Sequence, residues 1–181
     1  MSTRAVATRP AGTRRRLGVR TRRAVLVAHI ASAGAWLGVD VAMAVLIGTA
    51  MTTDEAAVLV FCLQALELVS VWPLLACGLV CLATGVVLGL GSKWGLVRYW
   101  WVAIKLVLNL VLTALVVVAL RGEVAEQAEL ARRLAAGEAV TFDLSNLIFP
   151  PTVSPTLLLV AITLSVVKPW GRIRRREVAA R

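Results

Sequence analysis

The chain has 181 residues, 59% of them hydrophobic, and a mean hydropathy of +0.83. A soluble domain is nearer ~45–50% apolar; here the apolar residues form blocks and the charges gather at the ends and in one loop, which excludes a water-soluble globular domain. The formal charge of +10 lies in two clusters beside apolar segments, so it reads as attraction to anionic lipid headgroups, with no nucleic-acid partner expected.

Residues 1–23 carry Arg4, Arg9, Arg14, Arg15, Arg16, Arg20, Arg22 and Arg23 with no apolar period, and are predicted to form a disordered basic arm. The apolar run 24–50 follows. Thr21-Arg22-Arg23 faintly resembles a twin-arginine signal, but a signal core is ~7–15 residues long and cleavage disfavours an upstream charge. Asp40 stands just before the small-x-small spacing Ala42-Met43-Ala44, so the run is read as a retained membrane helix.

A second segment covers 55–91, longer than the ~20 residues a span requires. Gln64 and Glu67 mark its first part, and Pro73 predicts a kink near Trp72-Pro73, leaving a span over 71–90. A connector with Lys93 and Arg98 leads to a third span over 99–120. Residues 121–151 are expected to be an external loop, opening with Glu123, Glu126, Glu129, Arg132 and Arg133 at the spacing of a short amphipathic helix. Pro150, Pro151 and Pro155 introduce a fourth span over 152–167, and 171–181 form a basic tail.

The expected fold is therefore all-α: a four-transmembrane-helix bundle over 24–170 with cytoplasmic N- and C-termini. The basic arms and the inner connector set that orientation. Trp94, Tyr99, Trp100, Trp101 and Trp170 then fall at the cytoplasmic interface, where amphipathic rings are favoured.

Ionisable groups inside such spans call for a partner or a purpose, because each costs roughly 2.5–3.5 kcal/mol near the bilayer centre. His29 is the only histidine, and His29, Trp36 and Asp40 share one face of the first helix. Lys105 and Asn109 share a face of the third. His29 and Lys105 lie at similar depth, roughly 8–11 Å from the cytoplasmic end. Together they suit an anionic group, a haem iron ligated by His29, or a proton relay. Separately, Lys105 would snorkel and His29 would bond a neighbouring helix. Asp40 and Glu67 form a second polar set nearer the outer side.

Cys62, Cys77 and Cys81 lie in apolar sequence, where small filler is the expected role. The Cys77/Cys81 pair is the alternative for a soft metal. Two GxxxG pairs, Gly34/Gly38 and Gly85/Gly89, are expected to serve helix packing within the bundle, with a homo-oligomer as the alternative.

The stretch His29-Ile30-Ala31-Ser32-Ala33-Gly34-Ala35-Trp36-Leu37-Gly38 resembles the H-x6-W-x-G opening of a group of bacterial four-helix membrane proteins. That group includes the copper-resistance D-type membrane domain and the HemJ-type protoporphyrinogen oxidases. Trp101-Val102-Ala103-Ile104-Lys105 resembles their W-x3-K, and Trp72-Pro73 through Gly85 the intervening helix. Lys93 to Lys105 is most similar to uncharacterised actinobacterial integral membrane proteins. The resemblance covers about residues 25–120 and implies a bacterial cytoplasmic (inner) membrane location. It also implies haem b, with His29 as the metal ligand and Lys105 beside it.

Departures from the group matter. The Pro-Arg pair and further histidines of the HemJ-type enzymes are missing, so bis-histidine ligation within one chain is impossible. Beyond the first residue, Met43 and Met51 are the only methionines for soft copper. No Ser-His-Asp order, phosphate loop, CxxC or HExxH motif occurs, and a non-enzymatic role is favoured. The expected function is a membrane protein with an intramembrane pocket at His29, Trp36, Lys105 and Asn109 for haem, a porphyrin or another amphiphilic anion. Copper or small-solute permeation and a non-catalytic structural subunit are the alternatives.

Overall fold

A computed structural model describes residues 18–92, 96 and 99–167 of the chain. The arm before residue 18, the tail after 167 and the connector residues Lys93, Trp94 and Arg98 lie outside the described residues, as do the expectations that fall on them. Four helical stretches are long and apolar enough to cross a membrane: Val19–Thr52, Ala56–Leu90, Trp100–Ala135 and Ser145–Val167. At most 28% of any of their apolar windows is buried inside the protein. Side chains such as Val118, Leu68 and Val166 stand outward on the surface. That much outward apolar surface needs hydrocarbon around it, and the chain is a multi-pass membrane protein.

Helix α1, Val19–Thr52, starts five residues before the expected boundary, so Arg20, Arg22 and Arg23 belong to its first turns and not to an unstructured arm. Arginine is a good helix former and its head stays exposed, so nothing stops the helix from extending.

The second stretch is broken into α2, Ala56–Val69, and α3, Val71–Leu90, by Ser70. The break falls three residues before Pro73 rather than at Trp72-Pro73. Proline has no N–H and its ring collides with the carbonyl four residues earlier, here that of Val69. Ser70 keeps the ladder alive on both sides, its N–H bonding Leu66 O at 3.1 Å and its carbonyl accepting Leu74 N at 3.0 Å.

The third stretch departs most from expectation. Helix α4, Trp100–Leu115, passes through a π-helical turn, Val116–Leu120, directly into α5, Arg121–Ala135. The first 15 residues of the expected loop over 121–151 thus continue the α4 helix, where a short separate amphipathic helix was expected. A run of buried positions four apart, Leu112, Val116, Leu120, Val124 and Ala128, drifts around an α-helix. The wider π turn cancels that drift and keeps the run facing inward. A Schellman motif ends α5: Gly137, at φ 87°, donates to Leu134 O at 2.9 Å and Glu138 N to Arg133 O at 3.1 Å.

Asp143 then accepts from both the amide and the hydroxyl of Ser145, which holds its carboxyl below the usual range and starts a short 3-10 turn, Ser145–Ile148. Helix α6, Phe149–Val167, begins three residues before the expected start, with Pro150 and Pro151 accommodated in its first turn.

Packing partners define a ring: α1 against α3, α3 against α4, α4 against α6, and α6 against α1. Helices α1 and α4 therefore face each other across the diagonal. At the end away from the arms, α2 packs on α1 and α5, and Arg132 bridges Glu67 and Glu129 at 2.8 Å each. Helix α5 carries several charged residues, whereas in Trp100–Leu115 before it Lys105 alone is charged.

Candidate functional site

Two polar constellations occupy the interior of the ring. The first surrounds His29. Its Nδ1 lies 3.0 Å from the Cys81 carbonyl and 3.0 Å from Thr84 Oγ1 on α3. A carbonyl only accepts, so Nδ1 carries the ring hydrogen and neutral His29 keeps its lone pair on Nε2. The Thr84 hydroxyl sends its own hydrogen to Val80 O at 2.6 Å, which leaves its oxygen free to accept from His29. Cys81 Sγ is 3.7 Å from Nδ1. A Cβ at Gly85 would sit 3.2 Å from the His29 ring, so glycine there lets α1 and α3 close around the imidazole.

Lys105, on the diagonal helix, donates from Nζ to Ser165 Oγ on α6 at 2.8 Å, and its ammonium lies 4.8 Å from the Trp101 ring centroid. Trp101 is buried within the protein, whereas Trp100 is exposed. His29 and Lys105 are thus not hydrogen-bonded to one another; each is oriented by a neighbouring helix. They share the arm-proximal end of the bundle.

The second constellation is deeper. Trp36, 1% exposed, donates from Nε1 to Ser154 Oγ at 2.9 Å. Ser154 in turn donates to Asp40 Oδ2 at 2.8 Å. The direction is forced: indole N–H cannot accept and a serine hydroxyl has one hydrogen. Asp40 is itself 1% exposed, and its Oδ1 has no protein partner. Asn109 Oδ1 and Thr113 Oγ1 on α4 are likewise buried without one.

Trp36 and Asp40 do lie on one face of α1, and Trp36 is hydrogen-bonded through Ser154 to Asp40. Glu67 does not join Asp40; it faces α5 and pairs with Arg132 at the surface, because the break at Ser70 lets α2 pack on α5. Ser154, Thr84, Thr113 and Ser165 were missed. Their signal was a small hydroxyl in an otherwise apolar span, which a helix can satisfy by bonding its own carbonyls, as Ser165 does to Ala161 O at 2.9 Å.

The glycine pairs divide. Gly85 and Gly89 are tightly covered, the latter by Leu96, whereas a Cβ at Gly34 or Gly38 meets nothing within 4 Å. The expectation of packing inside the bundle holds for the α3 pair and fails for the α1 pair, which faces outward. Cys62, Cys77 and Cys81 are all free, and no group of three His, Cys, Asp or Glu side chains suited to a metal occurs among the described residues. Comparison with protein-family profiles, curated proteins and solved structures finds no match.

Proposed function

We propose that the chain is a ligand-binding membrane protein whose pocket at His29 and Lys105 takes a haem or another amphiphilic anion. The observation that carries this reading is the bond from His29 Nδ1 to the Cys81 carbonyl. Histidines that ligate metals characteristically donate their other ring hydrogen to a carbonyl or carboxylate, which fixes the tautomer and orients the ligating nitrogen. His29 would offer the lone pair of Nε2 to such a group and Lys105 a cation for its acidic edge. Asn109, one turn along α4, adds a buried acceptor. A bound haem would supply redox or gas-binding chemistry, while the residues bind, orient and hold it away from water.

The test is spectroscopic. Haemin titrated into the detergent-purified protein is expected to give a shifted Soret band that His29→Ala abolishes. Lys105→Ala is expected to abolish it too, and the double variant to be no worse than either single, as for residues in one network. A wild-type spectrum identical to that of haemin in detergent defeats the reading. So does additive destabilisation of the two variants with ligand binding unchanged.

We also place both termini in the cytoplasm of a bacterial cell, with the α5 end outside, since the arginine-rich arms flank the spans. Compartment reporters fused after Arg181 and inserted near Gly137 are then expected to give opposite signals. The same signal at both sites rules out this topology.

A further inference from the structure

Asp40 has no part in the pocket proposed above, yet it is among the most completely buried side chains in the protein. Among the described residues no cation forms an ion pair with it. The elements packed against α1 bring Cys77 and Cys81 on α3 and Cys62 and Glu67 on α2, while α6 and the 3-10 turn before it carry no titratable side chain. Glu67 is engaged by Arg132, and Ser154 is hydrogen-bonded to Asp40. His29, on the same helix, is eleven residues away, about 16 Å along the axis. An ionised carboxylate held by a single hydroxyl hydrogen bond is far costlier in such a place than a neutral acid.

A line of side chains leads toward it, polar except where it passes the carbon edge of the Trp36 ring. A Cβ built at Gly78 would lie 2.6 Å from both Thr113 Oγ1 and Trp36 Cζ3, so the hydroxyl of α4 and the indole of α1 meet over that glycine. From Thr113 the same face of α4 continues one turn to Asn109 and another to Lys105. On the other side, Trp36 leads through Ser154 to Asp40. With ~1.5 Å per residue, the line from Lys105 to Asp40 covers about 18 Å, more than half of a ~30 Å hydrocarbon core. Buried polar oxygens are nearly always hydrogen-bonded. Three oxygens along this line, on Asp40, Thr113 and Asn109, keep acceptor capacity that the protein does not use.

We propose that Asp40 is an intramembrane proton-binding site, loaded and unloaded through water that passes along the Lys105–Asn109–Thr113 face. Loading transfers a proton from hydronium to Oδ1; unloading is the reverse, and no other bond is made or broken. Ser154 donates to Oδ2 in both states, so the chain from Trp36 holds the carboxyl in place while Oδ1 exchanges. The route shares Lys105 and Asn109 with the pocket proposed above, so proton exchange at Asp40 is a property of the haem-free protein.

Infrared spectroscopy of the full-length protein in lipid, without added haemin, tests this. At neutral pH a carbonyl band of a protonated carboxylic acid is expected, absent from Asp40→Asn, which keeps the shape of the side chain. The band should move to lower frequency when the bathing buffer is changed to D2O. Thr113→Val fills the line without touching Asp40 and should leave the band in place while slowing its movement by about tenfold, as expected for losing a polar station for water. A spectrum with no acid band at neutral pH overturns the proposal. A band insensitive to D2O, or one that moves equally fast in Thr113→Val, overturns it as well.

Discussion

Replacing Gly78 with alanine is expected to destabilise the bundle by about 1–3 kcal/mol, the usual cost of overpacking, and with leucine by more. Alanine is the better helix former by roughly 1 kcal/mol, so the sign depends on what the new methyl meets. At Gly78 it meets Thr113 Oγ1 and Trp36 Cζ3, both 2.6 Å from the built Cβ. The threonine can change rotamer. The indole cannot: it is 1% exposed and its N–H is tied to Ser154. Gly34→Ala and Gly38→Ala are the internal controls, since each opens into free space, and both should be neutral or slightly stabilising. Denaturation midpoints in detergent measure all three. Equal losses at Gly78 and Gly34 would show that α1 and α3 are not packed in this way. If instead Gly34→Leu lowers the oligomeric state while Gly34→Ala leaves stability unchanged, the outward glycines serve a second copy of the chain.

Ser154→Ala should cost about 1–3 kcal/mol, because it removes two hydrogen bonds worth roughly 0.6–1.7 kcal/mol each within a membrane. It also strands two buried groups at once, the Trp36 N–H and Asp40 Oδ2. The pairing is tested by a cycle with Trp36→Phe, which deletes the N–H and keeps most of the ring. Once the indole donor is gone, Ser154→Ala should cost less than in the wild type, with a coupling of at least ~0.5 kcal/mol for groups in contact. Strict additivity would mean that Ser154 and Trp36 do not interact. Because Asp40 is neutral in the proposal above, the Ser154→Ala loss should stay modest; a loss of the ~3–5 kcal/mol typical of an unpaired buried charge would mean that Asp40 is ionised.

Several features were determined by the sequence alone. The cost of moving a segment into hydrocarbon depends on its own side chains, so segregation of charge from apolar blocks was enough to place four spans. Helical periodicity is equally local, and it aligned His29, Trp36 and Asp40 on one face and Lys105 with Asn109 on another. Local chemistry also marked a distortion close to Pro73, though the break itself falls at Ser70, and a helix over Glu123 to Arg133.

Only the tertiary structure decided which of these groups meet. Ser154 lies 114 residues from Asp40 and 118 from Trp36, and nothing in the run around it sets it apart from other hydroxyls. Its role follows from α6 packing beside α1. Gly34 and Gly38 carry the same motif as Gly85 and Gly89, yet one pair faces outward and the other is covered, because which face of a helix is buried depends on every neighbour at once. Glu67 looked like a companion of Asp40 by height and became a partner of Arg132, since α4 and α5 form one continuous helix that brings Arg132 alongside α2. Partner choice is a property of the assembled ring, and no single segment encodes it.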